Sequence, residues 1–201
     1  MRSNRCPQCE PIDEYVPTLC HMVAQTSWLP NPETVLALGR AAIPTSRART
    51  GRPRLGSILE KGKPVGMYDE NTTPTWAMLW AHGIPGGKRT GWCFAHVWTA
   101  ADDVKSYTNV ANLAMVRECF AGLTDKDGPL TGYLRWHAWT VYKWKPDHVG
   151  PPPVPVGYND IKWRYLPRCE DPRKFIDQQI EQWDNQRLRI LREIMDVSHK
   201  G

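Results

Sequence analysis

An α+β fold is the class this sequence predicts, and three observations carry it. Short apolar stretches of strand length recur through the middle of the chain, at 55–59, 64–68 and 91–98. Segments with apolar residues at helical spacing surround them, most clearly toward the C-terminus. No self-similarity appears at a solenoid period. At 201 residues and 23.0 kDa the chain is one domain, or one domain with appendages, and it is long enough to bury a core without disulfides.

Residues 1–30 read as irregular, polar and punctuated by proline. Asn31-Pro32-Glu33 predicts an N-cap with proline at the first helical position, opening a short helix to about Ala42 that Pro44 ends. From Arg40 to Arg54 there are five arginines and no acid, interrupted by Gly51 and Pro53, which predicts a basic loop. Two short strands follow, at 55–59 and 64–68. Thr73-Pro74 caps a second short helix through Trp76, Leu79 and Trp80, and Gly83, Pro85, Gly86 and Gly87 make a turn. The apolar, aromatic run 91–98 predicts a strand, 99–107 a polar loop and 109–123 a helix. Leu130, Tyr133, Leu134, His137, Val141 and Tyr142 lie at helical spacing and predict a further helix over 130–144. The prolines of 150–155 form a stiff connector. Asp171-Pro172 then caps a helix of roughly 25 residues whose stripe is Ile176, Ile180, Trp183, Leu191 and Ile194.

Composition narrows the function classes. Apolar residues at 41% and charged residues at 23% exclude a fully disordered, collagenous or coiled-coil chain. Mean hydropathy is -0.54, and no uncharged apolar run approaches the roughly 18 residues of a membrane helix. No hydrophobic leader opens the sequence, so a cytoplasmic location with reduced cysteines is the expectation. Ten tryptophans predict a small, irregular core built by ring stacking. The net charge of +5 falls entirely within residues 1–167, which suits a polyanionic partner.

The segment 91–127 carries the chemistry. A strand delivers His96, a loop of about ten residues follows, and a helix opens on Asn109, Asn112 and Leu113. A histidine on a strand, a loop and an Asn-Leu pair resemble the ββα-metal core of HNH nucleases. The resemblance covers about 30 residues. It implies that His96 is the general base that activates water, and that Asn112, with Asn109 as a substitute, orients the imidazole. It also implies a divalent cation of Mg²⁺ type on the scissile phosphate. A neutral imidazole can take a proton from water near pH 7, an orienting partner fixes its tautomer, and a cation offsets charge on the phosphate. Two departures weaken the metal part. Ala95 stands where the family has a metal-ligating Asp or His, and Glu118, Cys119, Phe120 and Ala121 occupy the place of a later His or Asn. Asp102, Asp103 and Glu118 are the nearest carboxylates and the candidate ligands. The bland alternative makes His96 a core histidine between Phe94 and Trp98 and the asparagines ordinary caps.

Two further motifs bear on partners. Cys6-x2-Cys9 with Cys20-His21 places four zinc-type ligands within 16 residues, so structural Zn²⁺ and free thiols both stay open. Arg47, Arg49, Arg52 and Arg54 surround a Gly-Arg-Pro core that resembles an AT-hook; a basic loop touching phosphates is the simpler reading, and both point to DNA. The expected organisation is an N-terminal extension with the basic loop (1–54), a ββα nuclease-like core (55–149), and a Pro-rich connector with a C-terminal amphipathic helix (150–201). The expected function is metal-dependent hydrolysis of DNA phosphodiesters. The alternative is a non-catalytic DNA-binding or regulatory protein, with a homodimer through the C-terminal helix as a further expectation.

Overall fold

A computed structural model describes residues 14–48, 55–69, 72–124, 128–183 and 186–199, with side chains of the last helix described to Ile194. It is α+β. Helix α1 (Val16–Thr26) and helix α2 (Pro32–Leu38) precede strand β1 (Thr45–Arg47). Strands β2 (Gly56–Glu60) and β3 (Lys63–Asp69) follow, then helix α3 (Thr73–Ala81), strand β4 (Trp92–His96) and strand β5 (Leu113–Arg117). The helices α4 (Ala121–Thr124), α5 (Thr131–Val141), α6 (Pro172–Gln182) and α7 (Gln186–His199) complete the order.

Local chemistry explains most boundaries. The Asn31 side chain accepts from the Glu33 amide at 3.0 Å, and Gly39 ends α2 in the left-handed region at φ 62°, short of the expected Ala42. Lys61 and Gly62, both at positive φ, turn β2 back onto β3. β3 is the centre of a three-stranded sheet, antiparallel to β2 and parallel to β1. The extension expected at 1–54 therefore contributes a strand to the same sheet as the core. α1 stands where an irregular segment was expected, with Cys20, Val23 and Ala24 on its buried side.

The expected helix over 109–123 is instead a single 3-10 turn, Val110–Asn112, running into β5. β5 is buried on both faces and both edges. Leu113 and Met115 enter one core and Ala114 and Val116 the other. β4 pairs with one edge, His96 opposite Leu113, and Trp28 exchanges both backbone hydrogen bonds with Met115 on the other edge. A strand enclosed in this way shows no polar alternation, and its apolar run cannot be told from a buried helix by period alone.

The β4–β5 ribbon thus separates two cores. One packs against α3, α6 and α7, where Trp76 and Trp80 stack at 5.0 Å and Trp183 meets both rings edge-on. The other packs against α1 and α5. The long C-terminal helix is two helices, because the backbone becomes extended at Trp183. Ile176, Ile180, Leu191 and Ile194 are nevertheless buried against the body of the same chain, so the stripe needs no second copy to cover it. Among the described residues, no helix is long and apolar enough to cross a membrane.

Candidate functional site: a basic cleft in front of His96

Strand alternation aims His96. It shares a face of β4 with Trp92 and Phe94, and that face looks toward the start of α3. A cleft of about 420 Å³ opens there, walled by β4, by Pro74 and Thr75 of α3, and by Arg47 at the end of β1. Lys88 and Arg89, from the turn before β4, complete the rim. Three cations and a half-buried imidazole therefore converge, and no carboxylate of the described residues lines the cleft.

A backbone carbonyl holds the imidazole. His96 Nε2 lies 2.9 Å from the Tyr107 carbonyl oxygen. A carbonyl only accepts, so Nε2 carries the proton and the basic lone pair of the neutral ring is on Nδ1. Tyr107, fully buried, also stacks on the ring at 5.1 Å with 9° between planes. Position and tautomer are both constrained, as a general base requires.

The loop that supplies this carbonyl is tied down at many points. Asn112, fully buried, accepts from the Trp98 amide at 2.7 Å and donates to the carbonyls of Trp98 and Ser106. The Ala42 amide donates to Thr108 O, and the Arg47 amide donates to Ala101 O at 2.7 Å. The Thr108 hydroxyl donates to Ile43 O. Arg47 is thereby fixed relative to the same loop that fixes His96.

Several expected site residues fall elsewhere. Asn112 makes no hydrogen bond to His96, because its amide is spent on the loop backbone; the Tyr107 carbonyl takes the orienting place expected of it. Asn109 caps the 3-10 turn through the Ala111 amide and does not reach the ring. Asp103 accepts from the Lys105 amide and the Ser106 hydroxyl, and Asp102 is exposed on the loop outside the cleft. Glu118 is five residues beyond the partner of His96, roughly 16 Å along the ribbon at strand spacing. Among the described residues no group of three His, Cys, Asp or Glu side chains is placed to hold a metal ion. One imidazole among three cations is a poor donor set for a hard divalent cation, which binds carboxylate and carbonyl oxygens. Of the four zinc candidates, Cys20 and His21 are described. Cys20 is wholly buried in the α1–α5 core, and burial pushes its thiol up to about 12, far from the thiolate that zinc takes. His21 follows it on a part-exposed position of α1. Cys6, Cys9, Arg49, Arg52 and Arg54 lie outside the described residues.

No family model, curated protein or solved structure matches the chain. Function must therefore be argued from the cleft itself. Lys88, Arg89 and Tyr107 are the candidate-site residues that sequence reasoning missed. The Gly-Gly-Lys-Arg turn before an aromatic strand was a readable basic signal, whereas a backbone carbonyl leaves no trace in a side-chain pattern.

Proposed function

We propose that the chain binds a nucleic-acid backbone in the His96 cleft and hydrolyses its phosphodiester, with His96 as the general base. The observation that carries this reading is the convergence of Arg47, Lys88 and Arg89 on an imidazole whose tautomer is set by the Tyr107 carbonyl. β4, β5 and then a short helix also follow one another in the order of the ββα-type core that the sequence resembles. In this reaction His96 Nδ1 removes a proton from water, the water oxygen bonds to phosphorus, and the bond to the leaving strand breaks. The leaving oxygen takes a proton from solvent. The three cations face the phosphate oxygens where charge accumulates. The donors among the described residues do not fit a divalent cation, so no step is routed through one.

A second reading, a nucleic-acid-binding protein without catalysis, is favoured by the lack of carboxylates among the described residues that line the cleft. Supercoiled plasmid separates the two. It is incubated with the full chain and with His96→Ala, in Mg²⁺, in Mn²⁺ and in chelator. Nicking by the parent and a loss of about 10²–10⁴ in rate on His96→Ala, at unchanged DNA affinity, is expected. Binding with no nicking under any condition selects the non-catalytic reading. In either case Lys88→Ala with Arg89→Ala is expected to flatten the log–log salt dependence of binding by about 1.8.

A further inference from the structure

A second cavity, of about 510 Å³, shares no lining residue with the His96 cleft. Its size suits a nucleotide-sized ligand. Four cations reach it from four separate segments: Arg40 after α2, Lys105 on the 97–112 loop, Lys145 after α5 and Arg173 in the first turn of α6. The carboxylates on its wall are Asp103 and Asp147, and Asp103 is occupied by the loop.

Three features of this cavity point to a ligand. Arg173 is held in place by neutral acceptors, donating to the carbonyls of Ala42 at 2.7 Å and Ala41 at 3.2 Å. Desolvation and the charge of Arg40 both lower its pKa, against the opposing pull of Asp177. Two guanidiniums therefore line the same space, where an anion between them would be attracted by both. Asn109 is more than nine-tenths buried; its Oδ1 is taken by the Ala111 amide, and its Nδ2 has no partner among the described residues. That donor belongs to a residue on the cavity wall. Lys143 sits at φ 56°, an uncommon conformation for a residue with a side chain, and the turn it makes brings Trp144 and Lys145 to the same cavity.

We propose that this cavity binds a nucleoside phosphate, its phosphate between Arg40 and Arg173 and its base against the Trp144 ring with Asn109 as a polar reader. Stacking on an aromatic face tolerates any base, and paired guanidiniums suit a phosphate. The same chemistry is offered by a free nucleotide and by one nucleotide unit of a single strand. The inference is independent of hydrolysis at His96.

Calorimetric titration of the full chain tests it with adenosine and thymidine 5′-monophosphate, adenosine, inorganic phosphate and a single-stranded 12-mer. At least one monophosphate, or the 12-mer, is expected to bind saturably. Arg40→Ala, an exposed position that leaves the melting temperature unchanged, and Trp144→Leu should each weaken binding about tenfold. Adenosine and phosphate alone should each bind at least about tenfold more weakly than the monophosphate. Binding of the 12-mer alone, with the same sensitivity to both substitutions, identifies a strand as the source; binding of the monophosphate identifies the free nucleotide. Lys88→Ala with Arg89→Ala, which weakens binding in the His96 cleft, should leave the monophosphate constants unchanged, which separates this site from that cleft. No saturable binding of any probe below about 10 mM, or binding that neither substitution alters, overturns the proposal.

Discussion

One amide side chain, that of Asn112, decides whether the candidate site exists. It satisfies the backbone of Trp98 on both its N–H and C=O and the carbonyl of Ser106, all in a fully buried position. Those bonds close the 97–112 loop over its own base, and Tyr107 rides on that loop. Removing the amide leaves the buried Trp98 N–H without a partner, at about 1–3 kcal/mol, and takes a second donor from the Trp98 and Ser106 carbonyls, which keep the Ala100 and Asn109 amides. Asn112→Ala is therefore expected to destabilise the protein by about 2–4 kcal/mol and to lower Tm by about 10 °C. His96→Ala, at a half-buried ring on the cleft wall, should lower Tm far less. Differential scanning calorimetry of the two variants checks the order. A larger loss for His96→Ala would mark His96 as a packing residue and withdraw the general-base role. Asn112 illustrates a general hazard of motif reading: a residue beside a reactive group can be essential to it through the backbone, with no contact between the side chains.

Between elements, the apolar docking of α7 is accompanied by a buried ion pair whose carboxylate also caps α3. Arg187 Nε lies 3.1 Å from Asp69 Oδ1 at the end of β3, with the carboxylate side chain fully buried and the arginine 14% exposed. Asp69 Oδ2 meanwhile accepts from the Thr73 amide, capping α3. Arg187→Ala strands that carboxylate, at an expected cost of about 3–5 kcal/mol, whereas Asp69→Asn with Arg187→Met keeps the cap and should recover most of the loss. Urea unfolding of both variants measures this, and equal destabilisation would show that the stranded charge is not the source of the loss. Arg192 closes the break at Trp183 by donating to the carbonyls of Ile180, Glu181 and Trp183, the groups that the end of α6 leaves without helical partners. This interruption also shows what could be read in advance. Elements with local signals were legible: α2 from Asn31-Pro32, α3 from Thr73-Pro74, the start of α6 from Asp171-Pro172, and β2 and β3 from their short apolar runs. Elements defined by tertiary enclosure were not. β5 looks helical because both its faces are buried, and α1 hides among prolines because one of them, Pro17, falls in its first turn, where proline is tolerated. At the site, His96 and Arg47 were legible as residue types suited to phosphate chemistry. The Tyr107 carbonyl was not, since any residue supplies one.

At the scale of the whole molecule, each of the two cores encloses a histidine that must stay neutral. His82, at the end of α3, donates from Nδ1 to Met78 O and accepts the Asn31 amide on Nε2, joining α2 to α3. Its ring cannot take a second proton without losing the Asn31 bond, and desolvation lowers its pKa to about 4. His137, on α5, lies 2.8 Å from the Tyr158 hydroxyl through Nδ1 and 3.4 Å from that of Tyr165 through Nε2, with Tyr142 and Trp163 edge-on to it. Desolvation brings it down to about 3. In the unfolded chain both titrate near the ordinary value of about 6.5. Above that pH neither state binds these protons and stability does not depend on them. Below it the unfolded chain takes up two protons that the folded chain refuses, until the folded values are reached. Stability should therefore fall between about pH 6.5 and pH 4, with a slope approaching 2.7 kcal/mol per pH unit if both sites stay dry. His137→Phe removes one of the two protons and should roughly halve that slope while leaving the high-pH limb flat. Urea titrations at intervals from pH 7.5 to pH 4.5 measure it directly. An unfolding free energy that stays constant over that range would mean that the folded protein accepts these protons, and that the two cores open to water around His82 and His137.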